Sequence, residues 1–418
     1  MRHTNPADPR ATGRLAGSPI RRHIALLSVW AAVWFAIAER HGGVSWHYLR
    51  SGQQLLFGAP GGGLALYANH PELQIGPVSF LAAGIFSPFR PGLGETLAEA
   101  VMSGLGLAML IVVGRTAAHY YRGTGTNHHR LQQRILIAGA AFVPMWVEVS
   151  VRFAHLDDVL ALFFTTLAVR RLVSGHAAGT AVFLALAVDS KPWALPFLAL
   201  LLALPREQRL RSAVLTVTLI GAAWLPFYLG DIHSFAAARY AIPNQPASSL
   251  RWLGVHDPGT PSWDRPAQVL LGFLLGALAV RRGHWPAVVL VSANARIALD
   301  PSVYTYYSAS VLLGTLLWDA IGQRRLVPWY SWVALLILYG TSLALPHSPV
   351  QGLIRLAFAT LSTLAVLLTR RPKPGRSAEG TGPRAERGAE GAGQGRGELR
   401  AQPTTAPHPA TAPPPHPW

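Results

Sequence analysis

Ionisable residues stand at the ends of long apolar runs, where they are best placed to do chemistry. Arg152, His155, Asp157 and Asp158 lie together in the segment VRFAHLDDVLALFF, and Lys191 follows in AVDSKPWALP. An ionisable side chain at membrane depth costs about 2.5–3.5 kcal/mol on insertion scales, so a chain that retains several of them is expected to use them. Carboxylates can bind sugar hydroxyls or accept their protons, and cations can bind phosphate.

The composition predicts that membrane helices carry these residues. Half of the 418 residues are hydrophobic and 13% are charged, whereas a soluble protein usually has about 25% charged residues. Apolar runs recur between positions 23 and 370, which predicts an all-α polytopic membrane protein with about 10–12 transmembrane helices. The chain has no cysteine, which excludes disulfides and thiolate metal sites.

The arginines predict how the chain is oriented. The net charge is +17, but the arginines fall in short loops between apolar runs and in the C-terminal tail, as in cytoplasmic loops rather than a nucleic-acid-binding surface. This pattern predicts a multi-pass protein of the cell membrane with both termini in the cytoplasm. Residues 1–22 and the Pro/Gly/Arg-rich tail, 371–418, are predicted to be disordered, and residues 23–370 to form one transmembrane domain.

Two irregularities interrupt the predicted ladder of helices. The loop at 40–75, after the first span, is too long for a mere connection and is expected on the outer side. The apolar segments 177–189 and 192–204 are each too short to cross a membrane as straight helices, and the residues DSKP lie between them. Because proline disfavours helix in the residue before it, we predict a broken hairpin that lines a cavity.

The residues around the HLDD segment each allow two interpretations. Asp157 and Asp158 begin a helix, where one carboxylate can cap free N–H groups while the other binds a sugar hydroxyl or a divalent metal. His155 is either a metal ligand or a hydrogen-bonding partner. Lys191 either presents its ammonium group to a phosphate or extends to the membrane surface. The sequence requires no cofactor and assigns no metal ligand, and a divalent cation stays open as an alternative.

The first outer loop supplies further candidates for sugar binding. Tyr48, His70 and Glu72 lie in the segments SWHYLRSGQQLLFG and LYANHPELQIGP. Their rings and hydrogen-bonding groups suit a sugar, and the alternative is an aromatic belt at the membrane surface.

The remaining charges of the outer side divide into two groups. Asp231, Asp257 and Asp264 are explained by the polarity that any outer loop needs. Arg296 and Asp300 abut an apolar run instead, so they either contribute to function or form internal ion pairs.

These motifs together resemble a known group of enzymes. The long first outer loop, HLDD at the start of a span, SKPW in the broken hairpin, PSWDRPAQ and R-x-x-x-DPSVYTYY are similar to features of the GT-C superfamily of polytopic glycosyltransferases. More narrowly, the chain resembles actinobacterial integral membrane proteins related to polyprenol-phosphate-mannose-dependent mannosyltransferases. The resemblance extends over residues 23–370 and not over the tails.

The resemblance implies transfer of a sugar on the outer face, usually with inversion. The implied partners are a polyprenyl-phosphate-linked sugar as donor, membrane lipid, and a cell-envelope glycan or glycolipid as acceptor. An outer carboxylate would act as general base, and we assign this role to Glu72 or Asp157, with Glu39 behind them. Such enzymes usually carry an acidic residue shortly after the first span, where this chain has Ser45, Trp46 and His47.

The same resemblance implies which residues bind the substrates. Cationic side chains stabilise the departing phosphate, and Arg152, Lys191 and Arg296 are expected to face it. The other residues expected to bind substrate are His155, Asp158, His70, Tyr48 and Asp300.

Two alternatives from other functional classes stay open. A transporter or lipid flippase is favoured by the broken hairpin, because split helices form midplane sites in transporters. A non-catalytic member that binds a lipid-linked sugar is favoured by the missing acidic residue after the first span. No Walker motif occurs in the chain, which argues against ATP-driven transport.

Overall fold

The described part of the chain is built from helices. The computed structural model describes residues 17–40, 44–58, 60–346 and 348–369. Within these ranges every regular element is a helix, and an isolated bridge pairs Pro243 with Gly259. The all-α prediction is therefore confirmed for these residues. The predicted disordered tail and residues 1–16 of the predicted disordered N-terminus lie outside the described residues, whereas residues 17–22 of that N-terminus belong to the helix Gly17–Ile37.

The α-helices of the described residues range from 4 to 30 residues in length. In the first half they are α1 Gly17–Ile37, α2 Val44–Leu56, α3 Leu66–Asn69, α4 Pro77–Gly84, α5 Pro91–Tyr120, α6 His128–Val147, α7 Leu156–Val173, α8 Ala177–Ser190 and α9 Arg206–Gly230. In the second half they are α10 Ala236–Arg239, α11 Ser249–Trp252, α12 Asp264–Arg281, α13 Val288–Ala298, α14 Ala309–Leu317, α15 Trp329–Ala334, α16 Thr341–Ala344 and α17 Val350–Leu368.

Other helical types extend or join these elements. π-Helical turns follow α6, α14 and α15 at Glu148–Arg152, Trp318–Gly322 and Leu335–Gly340. Segments of 3₁₀-helix lie at Gly63–Ala65, Pro192–Ala203, Ile232–Phe235, Trp285–Ala287 and Thr305–Ser308. The loop predicted at 40–75 therefore contains regular structure, since α2, a 3₁₀ turn and α3 fall within it.

Four helices in the described residues are long and apolar enough to cross a membrane: Pro91–Tyr120, His128–Arg152, Arg206–Gly230 and Val350–Leu368. Helix α9 shows how they meet their surroundings, because Leu210 and Leu229 are 75% and 73% exposed. A face of exposed apolar side chains along a whole helix is typical of contact with lipid.

Arginine-bearing helix ends meet at one end of the bundle. Arg134, near the start of α6, donates from Nη1 to the carbonyl oxygens of Asp319 at 3.2 Å and Gln323 at 2.6 Å. Arg282, just after α12, donates to the carbonyl oxygen of Leu367 at 2.6 Å. Because orphan carbonyls at helix C-termini attract cations, these contacts stabilise this end of the bundle.

The predicted break in the hairpin is present. Helix α8 ends at Ser190, and the 3₁₀-helix Pro192–Ala203 begins one residue later. A 3₁₀-helix rises about 2.0 Å per residue and rarely exceeds four residues, so packing must support this long segment. Helix α12 supports the segment by packing closely against it at a glycine. A Cβ atom on Gly272 would lie 2.9 Å from Cβ of Pro196.

The break is also held from the other side by α4. The Gly76 amide donates to the carbonyl oxygen of Ser190 at 3.0 Å, and the Ser79 hydroxyl donates to the same oxygen at 3.0 Å. These two bonds satisfy a carbonyl that has no helical partner because α8 ends at Ser190.

We expect Gly76→Ala to destabilise the protein strongly. A Cβ atom at this position would lie 1.9 Å from the Asp189 carbonyl oxygen, so α4 and α8 would have to separate. Overpacking of this kind typically costs about 1–3 kcal/mol. Thermal unfolding of the purified protein in detergent measures the effect. Gly104→Ala in α5 is the matched control, because a Cβ atom there meets no atom within 4 Å, and an unchanged midpoint for Gly76→Ala would contradict the packing described.

Candidate functional site

A cavity of about 890 Å³ lies where α7 and α12 begin and where α8 and α13 end. These ends are opposite to the arginine-bearing ends, since α12 begins at Asp264 and reaches the arginine-bearing end at Arg281. The volume is within the usual range of small-molecule sites, about 300–1,000 Å³. The ionisable side chains that line it, in addition to two tyrosines, are His155, Asp158, Lys191, Asp264, Arg265, Arg296 and Asp300.

An unusual backbone turn positions His155. The buried Ala154 has a φ of +50° between the π-turn and α7, and a non-glycine residue in this region is strained unless its surroundings enforce it. The His155 ring stacks on Tyr306, with centroids 3.8 Å apart. Its Nε2 atom lies 2.6 Å from the Ser45 hydroxyl. The imidazole is therefore fixed in orientation by α2 on one side and by the loop after α13 on the other.

The first turn of α7 presents two carboxylates to the break after α8. Lys191 Nζ forms a short ion pair with Asp157, which is buried. Trp193 Nε1 donates to Asp158 Oδ1. The helix dipole favours carboxylates at this position. Capping of the helix is not the main role of either carboxylate, because both accept hydrogen bonds from side chains across the break.

The HLDD cluster has the donor types of a metal site. One ligand atom each of His155, Asp157 and Asp158 lies within 4.8 Å of the others. His155 Nδ1 is 3.4 Å from an oxygen of each carboxylate. The Lys191 ammonium group already neutralises Asp157, so it competes directly with a cation for this carboxylate. The geometry favours the hydrogen-bonding interpretation of His155.

Arg296 is the best-positioned cation of the cavity. Its Cζ atom lies 4.5 Å from the ring centroids of both Trp193 and Tyr307. Among the described residues, no carboxylate oxygen lies within 4.0 Å of its nitrogens, and the guanidinium group faces the cavity. Two aromatic faces thus hold a positive charge in place without neutralising it, which prepares it to bind an anion.

Asp300 combines contact with the cavity and a buried ion pair. Its Oδ2 atom accepts from Arg355 at 3.2 Å, and both residues are at most 2% exposed. Its Oδ1 atom accepts from the amide of Ser302 at 3.0 Å. Burial raises the pKa of the Asp300 carboxyl to about 6, while Arg355 acts in the opposite direction. Both oxygens of Asp300 thus have partners within the protein, and the carboxylate is mainly committed to Arg355.

The remaining predicted residues do not line this cavity. Arg152 lies 3.6 Å from Glu39 and 3.3 Å from Glu148, so carboxylates already surround it. Glu39 is largely exposed. The predicted roles of these residues stay predictions.

The candidates of the first outer loop also lie beside the cavity rather than in it. His70 Nδ1 and Glu72 Oε1 are 3.2 Å apart, and both side chains are about one-third exposed. Tyr48 is 44% exposed. The neighbours Leu73 and Gln74 do reach the cavity wall. The predicted role of Glu72 as general base stays a prediction.

Sequence reasoning missed several residues of the cavity. Asp264 was attributed to the polarity of an outer loop, yet its exposed fraction is 0%. Arg265, Trp193 and Tyr306 also line the cavity. The available signal was the motifs themselves, since PSWDRPAQ contains Asp264 and Arg265 and DPSVYTYY contains Tyr306.

No protein-family model matches the chain, and no curated protein matches it at a significant level. The site is therefore interpreted from its own chemistry. It combines cations for an anionic group, carboxylates for hydroxyl groups and aromatic faces for a ring, inside a pocket with largely apolar walls.

Proposed function

We propose that the protein is a membrane glycosyltransferase, similar to mannosyltransferases, that moves a sugar from a polyprenyl-phosphate donor to a cell-envelope acceptor on the outer face. The observation that carries this proposal is the unneutralised Arg296, held between Trp193 and Tyr307 at the wall of a large cavity. A planar guanidinium group can bind a phosphate through two parallel hydrogen bonds.

The proposed orientation follows from the arginines. If the arginine-bearing helix ends face the cytoplasm, as the positive-inside rule predicts, the cavity at the opposite ends faces outwards. We propose about 10–12 crossings in total, including apolar helices that are too short to span a membrane without tilt or a partner segment. Both termini are then cytoplasmic.

The walls of the cavity support a lipid-linked donor. Leu270 and Phe273 of α12 line it, and the Leu270 side chain is 60% exposed. The α12 side of the cavity is thus an apolar wall. A polyprenyl chain can lie along α12 while its phosphate reaches Arg296, with Lys191 and Arg265 as neighbouring cations.

Groups suited to a sugar lie beside this proposed phosphate site. Asp158 is a carboxylate that can accept a hydrogen bond from a sugar hydroxyl, and His155 is held next to it. The rings of Trp193 and Tyr306 add aromatic surface to the cavity wall beside these groups. Lys191 keeps Asp157 neutralised, so we assign Asp157 to positioning Lys191 rather than to accepting a proton.

The test is transfer from a labelled donor. Membranes that contain the protein, incubated with labelled polyprenyl-phosphate mannose and extracted envelope acceptors, should transfer the label. Asp158→Asn should lower the initial rate about tenfold or more, because a charged hydrogen bond to the sugar is lost. Asp231→Asn is the matched control, since Asp231 lies outside the cavity beyond α9. Absence of transfer with any polyprenyl-phosphate sugar would contradict the proposal.

The broken segment gives one specific reason to test transport as well. Lys191, Pro192 and Trp193 line the cavity at the break, as discontinuous helices do in transporters. Proteoliposomes loaded with labelled polyprenyl-phosphate sugar distinguish the two functions. Label that crosses the bilayer without transfer supports a flippase, and binding with neither movement nor transfer supports a non-catalytic lipid-sugar-binding protein.

A further inference from the structure

We propose that Asp264 is the general base of this site, which takes the proton from the acceptor hydroxyl. The inference rests on the proposed glycosyltransferase function and deepens it. It replaces none of the contacts to the donor phosphate, which are assigned to Arg296 and Lys191. It assigns a chemical role to a carboxylate that the outer-loop interpretation left without one.

The first argument is the free oxygen of Asp264. The residue is fully buried and lines the cavity. Its Oδ2 atom accepts from Gln268 Nε2 at 2.8 Å, whereas its Oδ1 atom has no hydrogen-bond partner among the described residues. A buried carboxylate oxygen without a partner is unfavourable in a finished structure. A substrate hydroxyl that enters the cavity would satisfy it.

The second argument is a comparison with the other carboxylates that line the cavity. Asp158 accepts from Trp193 and faces His155. Asp300 uses one oxygen for Arg355 and the other for the Ser302 amide. Among the described carboxylates of this cavity wall, Asp264 is thus the one with a buried oxygen that has no hydrogen-bond partner.

The third argument is how firmly the carboxylate is held. Asp264 is the first residue of α12, a position at which carboxylates are favoured in helices. Gln268 lies one turn later and also donates to the carbonyl oxygen of Leu299 at 3.2 Å, which fixes the amide that orients Asp264. A general base must be oriented before the substrate binds, and the hydrogen bonds of Gln268 orient Asp264 in this way.

The reaction step balances without a further reactant. The acceptor oxygen forms a bond to the anomeric carbon of the sugar while its proton passes to Oδ1 of Asp264. The bond between the anomeric carbon and the phosphate oxygen breaks, and its electron pair leaves with the phosphate. Arg296 and Lys191 stabilise the charge that develops on this leaving group. Attack from the side opposite the phosphate inverts the anomeric configuration.

The test uses the full-length protein in lipid nanodiscs with labelled polyprenyl-phosphate mannose. Asp264→Asn should lower the rate of transfer about 100-fold or more, while the affinity for polyprenyl phosphate stays within about twofold. The acidic limb of the pH–rate profile should disappear, because the base that must be deprotonated is gone. Asp264→Glu should restore part of the rate. Asp257→Asn, an exposed carboxylate of the same loop, is the matched control and should behave as the unmodified protein.

The outcomes separate this inference from the proposed function. If the unmodified protein transfers sugar and Asp264→Asn is equally fast, the inference is wrong and the function stands. If Asp264→Asn and Asp264→Glu both lose donor affinity and thermal stability, Asp264 is structural and the inference is wrong. If the unmodified protein transfers nothing while it still binds polyprenyl phosphate, the proposed function fails.

Discussion

Arg296→Gln is expected to weaken binding of polyprenyl phosphate by about 3–4 kcal/mol, roughly 100- to 1,000-fold in affinity. The guanidinium group is held 4.5 Å from two ring centroids and has no carboxylate within 4.0 Å among the described residues. Its charge is therefore not taken up by a direct ion pair and can attract an incoming phosphate. Titration of polyprenyl phosphate into the protein in lipid nanodiscs measures the loss, and the measured affinity of the unmodified protein should fall as salt concentration rises.

Two further variants separate charge from shape. Arg296→Lys keeps the charge but loses the planar fork and its stacking on Trp193 and Tyr307, so about tenfold weaker binding is expected. Arg239→Gln removes an exposed arginine that does not line the cavity, and it should leave binding unchanged. If Arg239→Gln weakened binding as much as Arg296→Gln, the phosphate would be held by the general positive charge of the surface rather than by this cavity.

The parts of the fold that depend on residues close together in the sequence could be predicted. The break between α8 and the 3₁₀-helix falls where Pro192 follows Lys191, because proline removes an amide and restricts the residue before it. The start of α7 at Leu156 coincides with acidic residues suited to a helix N-terminus. Both signals are local, so one sequence contains all that is needed to interpret them.

The site depends on contacts between distant residues, and these could not be predicted. Asp300 and Arg355 form an ion pair across 55 positions, and Ser45 meets His155 across 110. Nothing in the local sequence distinguishes the buried Asp264 from the exposed Asp257 seven residues earlier. Burial is a property of the packed helices, so an interpretation by loop composition treated both carboxylates alike.

In the first outer loop, sequence composition indicated residues that do not line the cavity. The aromatic and polar composition of this loop predicts either a sugar site that includes Tyr48, His70 and Glu72 or an aromatic belt at the membrane surface. In the structure Glu72 pairs with His70 at a partly exposed position, and Leu73 and Gln74 are the residues of this segment that reach the cavity. A shift of one or two positions along an irregular segment changes which side chain faces a site, and composition does not determine that shift.

Arg355→Met should destabilise the protein by about 3–5 kcal/mol, because it leaves the carboxylate of Asp300 buried without its counter-charge. Arg355 and Asp300 are 1% and 2% exposed and lie 3.2 Å apart. The pair joins α17 to the loop after α13, next to the cavity. The unfolding midpoint in detergent should fall by several degrees.

The double variant Asp300→Asn/Arg355→Met tests whether the ion pair is purely structural or whether Asp300 also binds substrate. Replacing both charges removes the unpaired carboxylate, so most of the lost stability should return. If Asp300 also binds substrate, as its contact with the cavity and the sequence interpretation predict, the double variant should be stable yet bind polyprenyl-phosphate mannose more weakly than the unmodified protein. A stable double variant with unchanged donor affinity would contradict the substrate-binding role of Asp300 and leave the ion pair as purely structural. A double variant as unstable as Arg355→Met would instead mean that the long arginine side chain stabilises α17 by packing rather than by its charge.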